Sequence, residues 1–164
     1  MCQAAAEEPD IQFCHATGTA ARTSELTNVH NYFTAIYETR YVSGVVAGMK
    51  LNQMIEDGTI TAEAAKIGYV GAFPFAEVIS GYTSFFLGAR SVCPSATMEV
   101  RYTNSWSDMA LAKETAAALI ADACVPISQH SDTVTPAPAS TAASLAIAAP
   151  NLPTHPPAPT HTRP

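Results

Sequence analysis

Short apolar runs and segments with helical spacing alternate along the first 132 residues. A short strand is predicted at residues 11–15 and a helix at residues 29–55. The apolar side chains expected on one face of that helix are Phe33, Ile36, Tyr37, Tyr41, Val45 and Met49. Thr27 or Asn28 is the candidate cap at its start, and Gly58 follows its end. Gly44 and Gly48 have the spacing of membrane helix dimers, but we expect them to let this helix pack closely on a sheet.

Three strand-like segments follow, at residues 66–73, 97–103 and 125–130. Helical segments come after the first two, at residues 76–91 and 108–123. Strand starts recur at about 30 residues, the length of a β-α-β unit, which predicts an α/β fold with a doubly wound parallel sheet. Pro126 cannot donate to a ladder, so we expect it only at a strand start or a sheet edge.

The pattern changes at residue 133. Residues 133–164 hold eight of the 12 prolines and one charged residue, Arg163. Such a segment buries too little apolar surface to offset its ordering entropy, so it is predicted to be a disordered or polyproline-like tail.

Charge and composition exclude several function classes. The chain carries 8 basic and 14 acidic residues, a net charge of −6, and its basic residues are scattered singly, which argues against nucleic-acid binding. The four cysteines lack metal-like spacing and are expected to be buried apolar side chains or free thiols. Five dispersed histidines give no zinc pattern, so neither a metal nor a cofactor is expected.

No export or membrane signal is visible in the sequence. The N-terminal residues 1–8 lack a basic segment followed by an apolar one, so no signal peptide is predicted. No apolar run approaches the roughly 18 residues of a membrane span, and we expect no membrane insertion by the chain itself.

Candidate ligand-binding residues lie in the loops after the three strands, because open α/β sheets bind ligands beyond the carboxyl ends of their strands. These loops are residues 71–77, 103–108 and 129–132. The candidates in them are Phe73, Asn104, Trp106, Asp108, His130 and Asp132.

Each candidate has a structural alternative. Trp106, the only tryptophan, offers an aromatic plate among polar groups, which suits a planar base or a sugar ring, but it also suits a side chain that merely covers the sheet edge. Asp108 is a ligand contact or a helix cap, Phe73 a cleft wall or plain core, and His130 and Asp132 ligand contacts or ordinary loop residues. An enzyme is not expected, because nucleophile elbows, phosphate loops and metalloprotease motifs are absent from the sequence.

Several sequence blocks resemble those of the basic membrane protein (PnrA-like) family of ABC transporter solute-binding proteins. They occur in the family's order over about residues 10–132. The blocks are YETRYVSGVVAG (37–48), KIGYVGAFP (66–74) with EVISG (77–81), LGARSV (87–92), TNSW (103–106) and ISQHSD (127–132).

This resemblance implies part of a type I periplasmic-binding-protein fold, in which two doubly wound lobes clamp a solute. It implies a small-molecule ligand, commonly a purine nucleoside, an ABC permease as partner, and a lipoprotein on the outer face of the cell membrane. Trp106 matches the position that stacks on the base, and Asp108 and the His130 loop would line the same lobe.

The resemblance also implies an incomplete protein. Residues 1–28 are interpreted as the end of the first lobe and the crossover, residues 29–132 as the β-α-β core of the second lobe, and residues 133–164 as foreign to the family. With one wall of a cleft, the chain is expected to bind nucleoside weakly or not at all. The alternatives are a ligand-sensing domain of a receptor or regulator and a non-functional truncated gene product.

Overall fold

The computed structural model describes residues 1–133, which belong to two compact units divided between Ile36 and Tyr37. The predicted boundary was eight residues earlier, between residues 28 and 29, and the assignment of the two parts to lobes stays a prediction. Apart from Thr133, the predicted tail lies outside the described residues. In residues 1–133, none of the helices has the combined length and hydrophobicity that crossing a bilayer requires.

The first unit contains two short helices and a two-stranded parallel sheet. Its elements are α1 (Cys2–Glu7), β1 (Phe13–Ala16), α2 (Ala20–Thr23) and β2 (Val29–Tyr32). The strands pair with Phe13 opposite Val29. The buried Asn28 amide ties the preceding segment together, because its Nδ2 donates to the carbonyl oxygens of Ala5, Glu8 and Ile11 at 2.9, 3.1 and 3.0 Å.

The predicted start of the long helix is wrong. Val29–Tyr32 forms β2, and the helix α3 runs from Ile36 to Glu56. The parallel ladder with β1 gives these residues backbone partners that outweigh their helical spacing. Neither Thr27 nor Asn28 caps the helix, since both precede β2, whereas Gly58 follows the helix end as predicted, with φ of +72°.

The apolar residues that share one face of α3 do not form its buried face. Tyr37, Tyr41 and Met49 are 48%, 41% and 60% exposed. The face that is buried carries mostly small residues: Gly44, Ala47, Gly48, Leu51 and Met54. The glycines of this face approach the helix α4 (Ala76–Val92), and Ala47 and Leu51 also share a core cluster with Ile67 and Tyr69 of the sheet.

Glycines let the two helix backbones touch. A Cβ on Gly44 would lie 1.9 Å from the carbonyl oxygen of Phe85, and one on Gly88 would lie 2.1 Å from that of Tyr41. The close contact between the two backbones therefore sets the orientation of α3, and it outweighs the burial of the larger apolar side chains of this helix.

The second unit contains the predicted doubly wound parallel sheet. Its strands are β3 (Lys66–Gly71), β4 (Thr97–Tyr102) and β5 (Ile127–His130), and their order in the sheet is β4-β3-β5. The helix α5 (Met109–Ala121) connects β4 to β5. Pro126 lies just before β5, an outer strand of the described sheet, and its carbonyl accepts from the N–H of Gly68 at 2.9 Å.

The two faces of the sheet carry different helices. Ile67 and Tyr69 of β3 pack against α3 and α4, whereas Val70 packs against α5. Since the chain leaves β3 and β4 toward opposite faces, the rule for such sheets predicts a ligand-binding crevice between the carboxyl ends of these two strands. All four cysteines are free, and Cys93 and Cys124 are buried.

Candidate functional site

Three aromatic side chains meet at the carboxyl ends of β3 and β4. The rings of Phe73 and Phe75 are stacked, with centroids 5.1 Å apart and planes 10° apart. Trp106 lies 5.9 Å from Phe73 and 6.5 Å from Phe75, centroid to centroid. Phe75 is 54% exposed, and the other two are half-buried. Phe73, Phe75 and Trp106, here called the aromatic cluster, thus offer ring surface that a ligand can reach.

A tight turn holds Trp106 in place. The hydroxyl of Thr103 donates to the carbonyl oxygen of Ser105 at 2.8 Å and accepts from its N–H at 3.3 Å. Asn104 adopts the left-handed conformation with φ of 54°, which Asn tolerates better than most residues. The side chain of Asn104 is exposed.

The loop after β5 is joined to this turn. The N–H of Asp132 donates to the carbonyl oxygen of Trp106 at 2.8 Å. The imidazole of His130 meets the indole edge-on, with centroids 6.3 Å apart. The structure therefore brings Phe73, Trp106, His130 and Asp132 together, as the sequence indicated, and their roles in binding stay predictions.

Asp108 has a structural role that the sequence offered as its alternative. It is the N-cap of α5, and its Oδ1 accepts from the N–H of Leu111 at 2.9 Å. Its side chain is exposed at the outer end of the turn. Any ligand contact by Asp108 or Asn104 stays a prediction.

Arg40 and Glu77 border the site, and sequence reasoning did not select them. The Nε2 of His130 lies 4.0 Å from Oε1 of Glu77, in the first turn of α4. The Nη1 of Arg40, on α3, donates to the carbonyl oxygen of Gln129 at 3.0 Å. We call Arg40, Glu77, His130 and Asp132 the polar cluster.

Burial and neighbouring charges shift the pKa values in this cluster. Burial raises the pKa of Glu77 and the Asp132 charge raises it further, whereas Arg40 opposes both. Burial, with a smaller contribution from Arg40, lowers the pKa of His130 to about 4. At neutral pH the imidazole of His130 is therefore uncharged, and it lies beside the carboxyl group of Glu77.

Some of the residues that sequence reasoning missed could have been found from the sequence, and one could not. Phe75 and Glu77 lie inside the loop 71–77 that was selected, so the rule for strand ends already covers them. Arg40 lies 89 positions before Gln129, and only the tertiary packing of α3 on α4 brings them together. In residues 1–133, no group of three or more His, Cys, Asp or Glu side chains is arranged to hold a metal ion.

Comparisons with known proteins agree with this architecture. Residues 1–143 match the family model described as ABC transporter substrate-binding protein PnrA-like. The chain is 43% identical over 132 residues to a putative ABC transporter glucose-binding protein of Haloferax volcanii. It is 39% identical over 124 residues to a purine-binding protein of Brucella abortus.

The coverage of these relatives is partial. The two alignments include 80% and 76% of this chain but only 30% and 31% of the relatives. The chain therefore spans about a third of the length of the curated proteins it matches.

A solved structure shares the fold. The solute-binding protein of an ABC transporter system from Conexibacter woesei superposes with a TM-score of 0.55 and 21% identity, covering 85% of this chain and 43% of that one. At this identity the likeness shows a partial periplasmic-binding-protein fold. With a family model matched over most of its length, the chain belongs to the PnrA-like family of ABC transporter substrate-binding proteins.

Proposed function

We propose that this chain supplies one wall of the solute-binding cleft of an ABC transporter, with a purine nucleoside or a related small molecule as ligand. The observation that carries the proposal is the aromatic cluster at the crevice between β3 and β4. Residues 29–132 would form the core of the second lobe and residues 1–28 the end of the first. The solute would be passed to an ABC permease, and the work of the site is binding rather than catalysis.

The aromatic cluster favours a flat ligand. A planar base placed on Trp106 or Phe75 removes apolar surface from water on both partners and gains from offset stacking. One relative is named purine-binding, which supports a base, and the other glucose-binding, which supports a sugar. We favour the base because a purine covers more ring surface than a pyranose does.

The whole protein would work outside the cytoplasm, as a lipoprotein at the cell membrane. This location follows from the family alone and is part of the proposal. The chain itself presents one wall, and a clamp gains affinity by desolvating its ligand on both faces. We therefore expect weak binding by this chain, with a Kd of about 1 mM or weaker, which corresponds to about −4 kcal/mol.

The test uses Trp106, which is the only tryptophan and so reports on the site alone. The full chain is titrated with inosine, guanosine, adenosine and glucose, with excitation at the red edge of the indole band, where nucleosides absorb little. We expect the nucleosides to quench Trp106 saturably and glucose to leave its emission unchanged.

Paired variants show whether the quenching arises in the aromatic cluster. Phe73→Leu removes a ring that touches Trp106, and Phe86→Leu removes a half-buried ring on α4 that lies against Arg90. We expect only the first to weaken nucleoside binding, by about fivefold, because an aromatic pair contributes about 1 kcal/mol. Saturable quenching by glucose alone, or no quenching by any ligand, contradicts the proposal. Micromolar nucleoside binding contradicts the claim that this chain supplies only one wall of the cleft.

A further inference from the structure

Glu77 and His130 face each other beside Trp106 across a gap that is too wide for a direct hydrogen bond. Their nearest side-chain atoms, Oε1 and Nε2, are 4.0 Å apart, whereas N–H donors and oxygen acceptors bond at about 2.7–3.2 Å. The His130 ring also contacts the indole edge. The gap therefore opens on the same crevice as the aromatic cluster.

The imidazole of His130 has unused hydrogen-bonding capacity. Its side chain is 9% exposed, and its buried Nδ1 has no hydrogen-bond partner within residues 1–133. Gly81 makes room for this nitrogen, since a Cβ there would lie 2.7 Å from it. A neutral imidazole carries one N–H, and the Glu77 carboxylate favours placing that proton on Nε2.

Arg40 lowers the pKa of Glu77 from a distance, but it does not pair directly with either carboxylate of the polar cluster. The Nη1 of Arg40 donates to the carbonyl oxygen of Gln129. Within residues 1–133, the guanidinium of Arg40 forms no ion pair with Glu77 or Asp132 at 4.0 Å or less. Glu77 is thus a free acceptor directly across from the N–H of His130.

We propose that Glu77 and His130 act as an acceptor and a donor that together bind one uncharged polar group of the ligand held on Trp106. The group is a hydroxyl, or an adjacent N–H and C=O on a ring edge, which accepts from Nε2 and donates to Oε1. An oxygen at about 2.8 Å from both atoms would see them about 90° apart, an angle that a hydroxyl tolerates. This proposal rests on the proposed function and restricts its ligands to those with an uncharged polar group at this position.

The same arrangement disfavours anionic ligands. A phosphate in the gap would meet two carboxylates, those of Glu77 and Asp132, against the single positive charge of Arg40, so the net charge around it still repels an anion. The site therefore selects a neutral nucleoside or free base over a nucleotide.

The experiment compares the full chain with two variants by Trp106 fluorescence. Glu77→Gln keeps the shape of the side chain but removes the charge and one acceptor oxygen. Glu114→Gln, on the exposed side of α5, is the matched control. Circular dichroism and urea unfolding confirm that all three chains are folded. The ligands are inosine, hypoxanthine and inosine 5′-monophosphate.

For the unaltered chain we expect saturable quenching by inosine and at least tenfold weaker binding of the monophosphate. In Glu77→Gln, inosine should bind about tenfold more weakly, because a hydrogen bond to a charged carboxylate is replaced by a weaker one to a neutral amide. Glu114→Gln should match the unaltered chain. If hypoxanthine is weakened as much as inosine, the bound group is the edge of the base, and if only inosine is weakened, it is a sugar hydroxyl.

Two results overturn this inference and leave the proposed function standing. One is equal inosine affinity in Glu77→Gln and the unaltered chain, and the other is a monophosphate that binds as tightly as inosine. If no ligand quenches Trp106 in the unaltered chain, the proposed function and this inference fall together.

Discussion

Two clusters of charged side chains lie in the second unit, and the pKa of the glutamate in each is shifted in the opposite direction. In the first, Glu99 pairs with Lys66 at 2.5 Å and with Arg101 at 2.8 Å, and Arg101 also pairs with Asp122. Hydrogen bonds from Lys66 and Arg101 lower the pKa of Glu99. In the polar cluster, burial raises the pKa of Glu77, and Arg40 offsets this rise only in part because it forms no ion pair with the carboxylate.

This difference separates a cluster that stabilises the fold from one that we propose binds a ligand. Lys66, Glu99, Arg101 and Asp122 satisfy one another, so little hydrogen-bonding capacity remains for a ligand. The polar cluster keeps a carboxylate without an ion pair to Lys or Arg and an imidazole whose ring lies beside Trp106 and whose Nδ1 has no partner within residues 1–133. Unsatisfied buried groups with shifted pKa values are expected where a fold serves function rather than stability.

The largest expected effect comes from breaking the helix contact that positions Arg40. Gly88→Ala places a Cβ about 2 Å from the carbonyl oxygen of Tyr41, and neither backbone can yield easily. We expect a loss of about 3 kcal/mol in the free energy of unfolding, the upper end for overpacking. Urea unfolding measures it, with the neighbouring exposed Leu87→Ala as control, expected within about 0.5 kcal/mol of the parent. Equal stability of both variants would show that α3 does not rest on α4 as described.

The neutral His130 predicts an acid-sensitive fold. Its pKa is about 4 in the folded chain and about 6.5 when unfolded, so between these values the unfolded state binds more protons. Stability from this group is complete above pH 6.5 and is lost as the pH falls toward 4, by up to about 3 kcal/mol. His130→Asn should lose less stability than the parent between pH 7 and pH 4.5, and His15→Asn, an exposed control, should follow the parent. Parallel curves for His130→Asn and the parent would refute the neutral, buried state.

The smallest expected effect is on the thermal midpoint, which should change in opposite directions when Glu99 and Glu77 are replaced by glutamine. At pH 7, Glu99→Gln should lower the thermal midpoint slightly, because its ionised form is stabilised in the fold. Glu77→Gln should leave the midpoint unchanged or raise it, because the fold disfavours its ionised form. Differential scanning calorimetry of both variants in parallel decides this, and a larger loss in Glu77→Gln than in Glu99→Gln would erase the distinction between the clusters.

Local pattern was enough to predict the sheet and the grouping of the candidate residues at one end of it. The β-α repeats between residues 66 and 130 are visible in short apolar runs, and the rule for strand ends then selects Phe73, Trp106 and His130. Because β4 and β5 both pair in parallel with β3, the loops after these strands meet at one end of the sheet although they are far apart in sequence.

What escaped prediction depends on contacts between distant segments. Residues 29–32 have helical spacing, yet their pairing with β1 makes them a strand. Large apolar residues suggested one face of α3, but Gly44 and Gly48 turned the opposite face inward through backbone contact with α4. Arg40 reaches Gln129 only because of that packing, so no local pattern could have placed it at the site.

The central claim is that the edge of the sheet bearing Trp106 is a ligand-binding wall. The most direct test is a two-dimensional ¹H–¹⁵N spectrum of the chain titrated with inosine, in which the single indole N–H reports on Trp106. We predict progressive shifts of that signal and of amides in residues 71–77, 103–108 and 129–132, with residues near Lys66, Glu99 and Asp122 unmoved. Shifts confined to the ion-paired cluster, or none up to the solubility limit of inosine, would contradict the account.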